Sequence, residues 1–404
     1  MTTIGTKDMI KTITSPVNSG QDPTWLNEFK QTAITEFKGL PNEKDEDWLY
    51  TDVQSIANQE VSTATKQDAQ SSTAELVMVN GFVGSVANRE GITITRFADL
   101  ATQPDIKTTI KENAFSTLNA FRFEDGVEVK INKTQQQPYI IDCQSISSEL
   151  SIEHPRILIN IAANVTATIG IQHTGTSNTF VNAVFECQLA EGATLNMVDW
   201  KGSQSKVMHN IRIDQQKDSQ CEYISFYNDG DLFRSDIDVH IHDSGAHCEL
   251  KGVSLLKGET HSHQHIKIHH HTPGSTSNQL FKTILTDQSV SEFTGLVFVK
   301  EKSHETDSGQ LNQNLMLSDS ARVISRPQLK IDADDVTCAH GCTVGQLNPE
   351  EVFYITSRGM NEKQAKSLLT YGFAEEVIEC ITIDTFRNEL ESILKDLVDG
   401  YVDQ

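Results

Sequence analysis

The 404-residue chain is poor in positive charge: 33 lysines and arginines face 56 acidic residues, for a formal charge of −23. A surface of that sign repels phosphate backbones and anionic lipids, which argues against a nucleic-acid or membrane partner. No apolar run is long enough to span a bilayer as a helix. The opening stretch, Met1 to Pro16, lacks the apolar core of a secretion signal, so a cytoplasmic location is expected. The 7 cysteines are odd in number and lack framework spacing, which excludes a disulfide scaffold and leaves reduced thiols. There is no phosphate-binding loop, no Gly-rich dinucleotide fingerprint and no nucleophile elbow. No nucleotide is therefore expected on this chain.

What is present divides the chain into three regions. Residues 1–120 read as a helical and mixed N-terminal domain. Residues 1–21 are polar, and Asp22-Pro23 then reads as a cap opening a helix lined by Trp25, Leu26, Phe29, Ala33 and Phe37. Glu46 to Thr51 form an acidic turn running into aromatics, and 58–74 read as a polar linker. Strands begin near Leu76. A second helix is expected behind an Asp105 cap, with Ile106, Ile110, Ala114 and Leu118 on one face.

Residues 121–347 show almost no helical periodicity. Short apolar runs such as Ile157–Ile161, Ile237–Ile241 and Phe293–Val299 are bounded by Gly, Asn, Asp or Ser, with no crossover helices. Ile237-x-Val239-x-Ile241 and Gln264-x-Ile266-x-Ile268 recur at about 27 residues, a loose period that suits stacked β-helical coils. A sandwich would use several tight hairpins, and Asn80-Gly81 is the one Asn-Gly dipeptide. Spacing alone still leaves the sandwich open. Residues 348–404 return to helix. Asn348-Pro349 and Asn361 to Gln364 are capping signals, and Gly359 is a stop between them. Two apolar stripes follow: Ala365, Leu368, Leu369, Phe373 and Val377, then Phe386, Leu390, Ile393, Leu394 and Leu397. Three short helices cannot bury all these faces on one another, so some must pack on the β-region or on a partner.

Two clusters carry chemistry. Nine of the 14 histidines fall between His240 and His271. Alternation places His240 and His242 on one strand face, and His263 and His265 on the corresponding face of another. The offset of 23 residues, taken as one coil, stacks the four as a two-by-two patch on the outer wall. Neutral imidazoles so placed suit Fe, Zn or Cu; a merely polar outward face is the alternative. The other cluster is Cys338-Ala339-His340-Gly341-Cys342. On a regular strand the three ligands share a face but stand about 7 Å apart. Holding one ion then takes a bend at Gly341 or ligands from another chain. Otherwise the two cysteines plug the end of the core with His340 between them. An enzymatic alternative, a β-helix polysaccharide hydrolase or lyase, rests on Asp332, Asp334 and Asp335, which sit in a turn-like segment.

Pro327-Gln328-Leu329-x-Ile331, through Asp334-Asp335-Val336-x-Cys338-x-His340-Gly341, to Thr343-Val344-Gly345, resembles the signature of the SufB/SufD family. These are scaffold proteins of Suf iron–sulfur cluster assembly. The likeness continues through Phe353-Tyr354-x-x-Ser357-Arg358-Gly359 and reaches back to Phe281-Lys282-Thr283 and, more faintly, Glu46-x-Trp48-x-Tyr50. The cysteine-free Gln310 to Met316 stretch, and His340-Gly341-Cys342, are more like SufD than SufB. The resemblance implies a right-handed parallel β-helix between helical terminal domains, acting as a non-catalytic scaffold. It implies a β-helix heterodimer with SufB, or a homodimer when alone. It implies a SufC ATPase gripping the C-terminal helices, with Phe353, Tyr354, Arg358, Leu368, Leu369 and Phe373 as contact residues. It also implies a transient iron–sulfur cluster shared with SufB, held by His340 first and Cys338 second, with Cys342 left as a core residue.

Overall fold

Apolar side chains at every second position give a strand one dry face, and stacking such strands in register buries it. The computed structural model describes residues 22–42, 44–53, 61–107, 113–175, 178–202, 206–228 and 230–402, and in it the β-region winds into a parallel solenoid. Each coil lends one strand to an 11-stranded sheet and the next to a 10-stranded sheet. Cys187 lies beside Ile213, Ile213 beside Val239, and Val239 beside Ile268, so one inward column stays apolar through successive coils. All four are buried in a single core running between the sheets. Each fully buried aliphatic chain of this kind contributes about 1.5–3 kcal/mol.

The corners explain the winding. Asn164, Gly192, Asp218, Gly245, Gly274, Glu305 and Asp335 all have positive φ, one at each passage from the larger sheet to the smaller after Ile161. Their amides form a ladder: Gly192 N–H donates to Lys217 O, Asp218 N–H to Ser244 O, and Gly245 N–H to Gly274 O. Asn, Asp and Gly are the residues that enter this left-handed region at least cost, and they take six of these seven corners. The β-helix is thus chosen over the sandwich. Its coils vary in length along the chain: Val129 pairs with Ile159, Ile211 with Ile237, Ile237 with Ile266, and Gly295 with Pro327.

Helix α1 (Thr24–Glu36) and helix α2 (Ala114–Arg122) lie on the outer face of the larger sheet. Trp25, Phe29, Phe97, Phe115, Phe121 and Phe123 pack there against Leu158, Phe180 and Met208. The first expected cap needs correction. Pro23 occupies the cap of α1, and Asp22 instead accepts a 2.7 Å bond from Lys30. The helix expected behind Asp105 runs into residues 108–112, which lie outside the described residues; Asp105 itself is in no described helix, and the Lys107 amide donates to Glu186 at 2.8 Å. Helix α2 opens at Asn113, whose side chain accepts from the amides of Phe115 and Ser116. Ile110, residues 1–21 and residues 58–60 lie outside the described residues.

Helices α3 (Pro349–Thr356), α4 (Glu362–Ile378) and α5 (Asp384–Val402) follow the last strand. Ala374, Val377, Phe386, Leu390 and Leu394 pack on Val198, Phe226, Val253 and Ile284 of the smaller sheet. Helix α3 buries no residue at all.

Candidate functional site

The solenoid is unfinished at one end. The Thr337–Gly345 strand pairs with Asp307–Met316 on one side and, in the order of the sheet, with nothing on the other. Cys338, His340 and Cys342 stand beside Ser308, Gln310 and Asn312, which are buried. The three therefore face the solenoid axis where it opens. The strand stays regular, and Gly341 keeps an ordinary backbone, so the bend that would gather the three ligands does not occur. Among the described residues, the groups whose ligand atoms converge lie elsewhere. Cys338 is half-buried against the small cluster of Val297, Val299 and Leu329. Burial, aided by Asp307, pushes its thiol pKa up, away from the thiolate a metal needs. His340 and Cys342 are exposed.

Around this mouth the rim is apolar and the lining polar. Leu311, Ile331 and Val344 are exposed. Behind them Gln310 donates to Gln279 at 3.3 Å, and Asn312 accepts from Asn314 at 2.7 Å and from Ser325 at 2.8 Å. This lining escaped the sequence reading, where the Gln310 to Met316 stretch stood out only for lacking cysteine. Its signal was the alternation of Gln310, Asn312 and Asn314 with Leu311 on the other face. An exposed strand edge with free amides and carbonyls is a template for another chain.

The histidine-rich strands need a different register from the expected one. His265 pairs with Asp236 and His263 with Arg234, an offset of 29 residues rather than 23. The corner at Gly245 and the turn at Gly258 supply the extra residues. His263 and His265 consequently do not stack on His240 and His242. They are buried beneath the Glu46–Trp48 turn, where Arg234 lies 3.7 Å from the Trp48 ring and donates to Asp47 O and Thr51 Oγ1. His263 bonds Glu292, and His265 bonds Asp236 at 2.8 Å. The pair serves to fasten the N-terminal segment to the wall. His240 and His242 instead stack with His269 and His271, at ring separations of 4.5 and 5.1 Å respectively.

Residues 143–373, more than half the chain, match the family described as SUF system FeS cluster assembly, SufBD core domain. The chain belongs to the SufBD family. A SufBD family protein of Synechocystis is 28% identical, the match covering 87% of this chain and 86% of that one. The iron–sulfur cluster assembly protein SufD of Escherichia coli is 26% identical, covering 87% and 88%. A chloroplastic protein of Arabidopsis thaliana, ABCI7, is 24% identical, covering 89% and 82%. Membership assigns this SufD-like chain a role in iron–sulfur cluster assembly.

This SufBD chain has one more unpartnered surface. Phe353 on α3 is 74% exposed and Tyr354 57%, with Arg358 lying 4.4 Å over the Tyr354 ring. Together with Leu347, Val352, Met360 and Lys366, Phe353 lines an open groove of about 700 Å³. Leu368 is exposed and Leu369 half-buried. Phe373 differs: Lys282 donates to its carbonyl at 2.9 Å and sits 5.1 Å over its ring. It anchors α4 to the wall rather than facing outward. No helix among the described residues is long and apolar enough to cross a membrane.

Proposed function

We propose that this chain is the SufD-like half of a cytoplasmic scaffold on which nascent iron–sulfur clusters are built. The observation that carries the reading is the in-register, unpaired edge strand bearing His340 in a chain of this family. A SufB-type solenoid docks on the open end, and a cysteine of that partner completes, with His340, a site that this chain leaves divergent. An exposed imidazole and a partner thiolate are ligands suited to iron–sulfur chemistry. Cys338, with its raised thiol pKa, stands behind as a secondary ligand. Without the partner, a second copy of the chain takes the same end.

The α3 groove, with Phe353, Tyr354, Arg358 and Leu368, is the grip for a SufC-type ATPase. This chain carries no nucleotide motif and performs no hydrolysis itself. Movement of α3 and α4 reaches the β-wall through Lys282 and Phe373, and ATP-driven closure thereby shears the docked mouths apart. The test is anaerobic co-expression with SufB and SufC, measuring iron and sulfide in the purified complex. His340→Ala is expected to keep all three subunits together and lose the cluster, whereas Cys342→Ser keeps both. A wild-type cluster content in His340→Ala would sink the ligand assignment.

A further inference from the structure

The outer wall of the larger sheet carries metal-binding chemistry that the mouth lacks. His240 and His269 are direct register partners on adjacent parallel strands, and Asp238 precedes His240 by two residues on the same face. Asp238 Oδ2 lies 3.1 Å from His240 Nε2, and Oδ1 lies 3.1 Å from His269 Nε2. The ligand atoms of the three residues all fall within 4.8 Å of one another. Asp238 Oδ1 and His240 Nε2 are buried, and each finds its close polar contact inside this trio. A carboxylate and two imidazole nitrogens thus converge on one point. A cation seated there takes the place of the protons they share and keeps all three atoms satisfied.

The surroundings hold the ligands in place. His240 Nδ1 is 3.1 Å from His271 Nε2, so its other nitrogen is the one aimed at Asp238. Phe298 stacks on His269 at 4.5 Å. Arg212 is bonded to Asp214 at 2.6 and 3.0 Å and comes only within 3.9 Å of Asp238. The side chains are 14–26% exposed, so an ion can enter from solvent. A second trio, His173, Asp199 and His209, has similarly convergent atoms inside the solenoid. There Lys201 bonds Asp199 and Tyr223 donates to it at 2.8 Å, so that carboxylate already has its counter-charge.

We propose that Asp238, His240 and His269 bind one divalent first-row transition-metal ion, and that His271 positions His240. Two neutral imidazoles and a carboxylate on one side of the ion leave its other positions open. The site is independent of the assembly reading and stands whether or not His340 holds a cluster.

The test uses the full chain, stripped of metal and titrated with Co(II) at neutral pH, following visible absorption and calorimetric stoichiometry. One equivalent is expected. Asp238→Asn and His269→Gln each weaken binding by about 100-fold, and His271→Ala by about 10-fold, as removal of a supporting hydrogen bond does. The combined Cys338→Ser and His340→Ala variant binds as the parent does. Asp238→Asn is isosteric and keeps the decision possible should His269→Gln misfold by circular dichroism. The proposal is overturned if the parent binds no Co(II), or if Asp238→Asn binds as tightly as the parent. It is equally overturned if binding is lost in the Cys338 and His340 variant, or lost only in His173→Gln.

Discussion

The two ends of the solenoid are built to opposite rules. At the first end, Phe82–Val86 and Ile92–Arg96 turn back antiparallel on their neighbours, and a register shift between Val77 and Met78 distorts one of these pairs. Short, twisted, irregular edges discourage further pairing. At the last end, Arg322–Ile331 and Thr337–Gly345 run 10 and 9 residues in unbroken register and then stop. The same fold thus protects one edge and presents the other. His340, the proposed ligand, lies on the presented edge.

The largest effect expected from this contrast is on association. Val344→Lys puts a charge into the rim that a partner must cover, and an uncompensated buried charge costs about 3–5 kcal/mol. Co-purification with the SufB-type subunit should be lost, with the melting temperature unchanged. Val86→Lys, an exposed position on the protected end, should leave the complex intact, and equal effects at both ends would break the comparison.

The next effect is on stability. Ile159 is fully buried in the closed core, so Ile159→Ala should cost about 2–5 kcal/mol in denaturant unfolding. Leu329 faces inward but is only half-buried at the mouth. Leu329→Ala should cost less than about 1 kcal/mol in the isolated chain and more in the assembled complex. A separate effect is titration of the closed interior. Burial holds the His209 pKa down from 6.5 to about 4, against the opposing pull of Asp199. The unfolded chain binds a proton in that window and the folded chain refuses it. Stability should therefore fall as pH drops from 6.5 to about 4, by at most about 3 kcal/mol, read as a declining melting temperature. His209→Gln should flatten that slope.

Much of the fold was legible in the alternation of apolar residues and in the capping signals around Asn348 and Asn361. The coil length was less so. Corner residues vary among Asn, Gly, Asp and Glu, and the pairing offset grows from Ile211–Ile237 to Gly295–Pro327. Against such a drifting repeat no single offset is right; the 23 residues expected between the histidine pairs matched like residue types, whereas the apolar pair Ile237–Ile266 sets the register. The shared face of Cys338 and His340 was legible because both sit on one strand. Chemistry was hidden where it spans two strands, as with Asp238, His240 and His269, because only the register brings them together. The part played by His263 and His265 was hidden too, since it depends on a turn, Glu46–Trp48, more than two hundred residues away.

One unfinished edge and one protected edge also limit how far assembly can run. In polymer terms the chain has a live end and a dead end. In the assembly proposed above, two such units join live end to live end and leave a dead end facing out on each side. On that proposal growth stops at a pair, and the geometry that recruits a partner also prevents a filament.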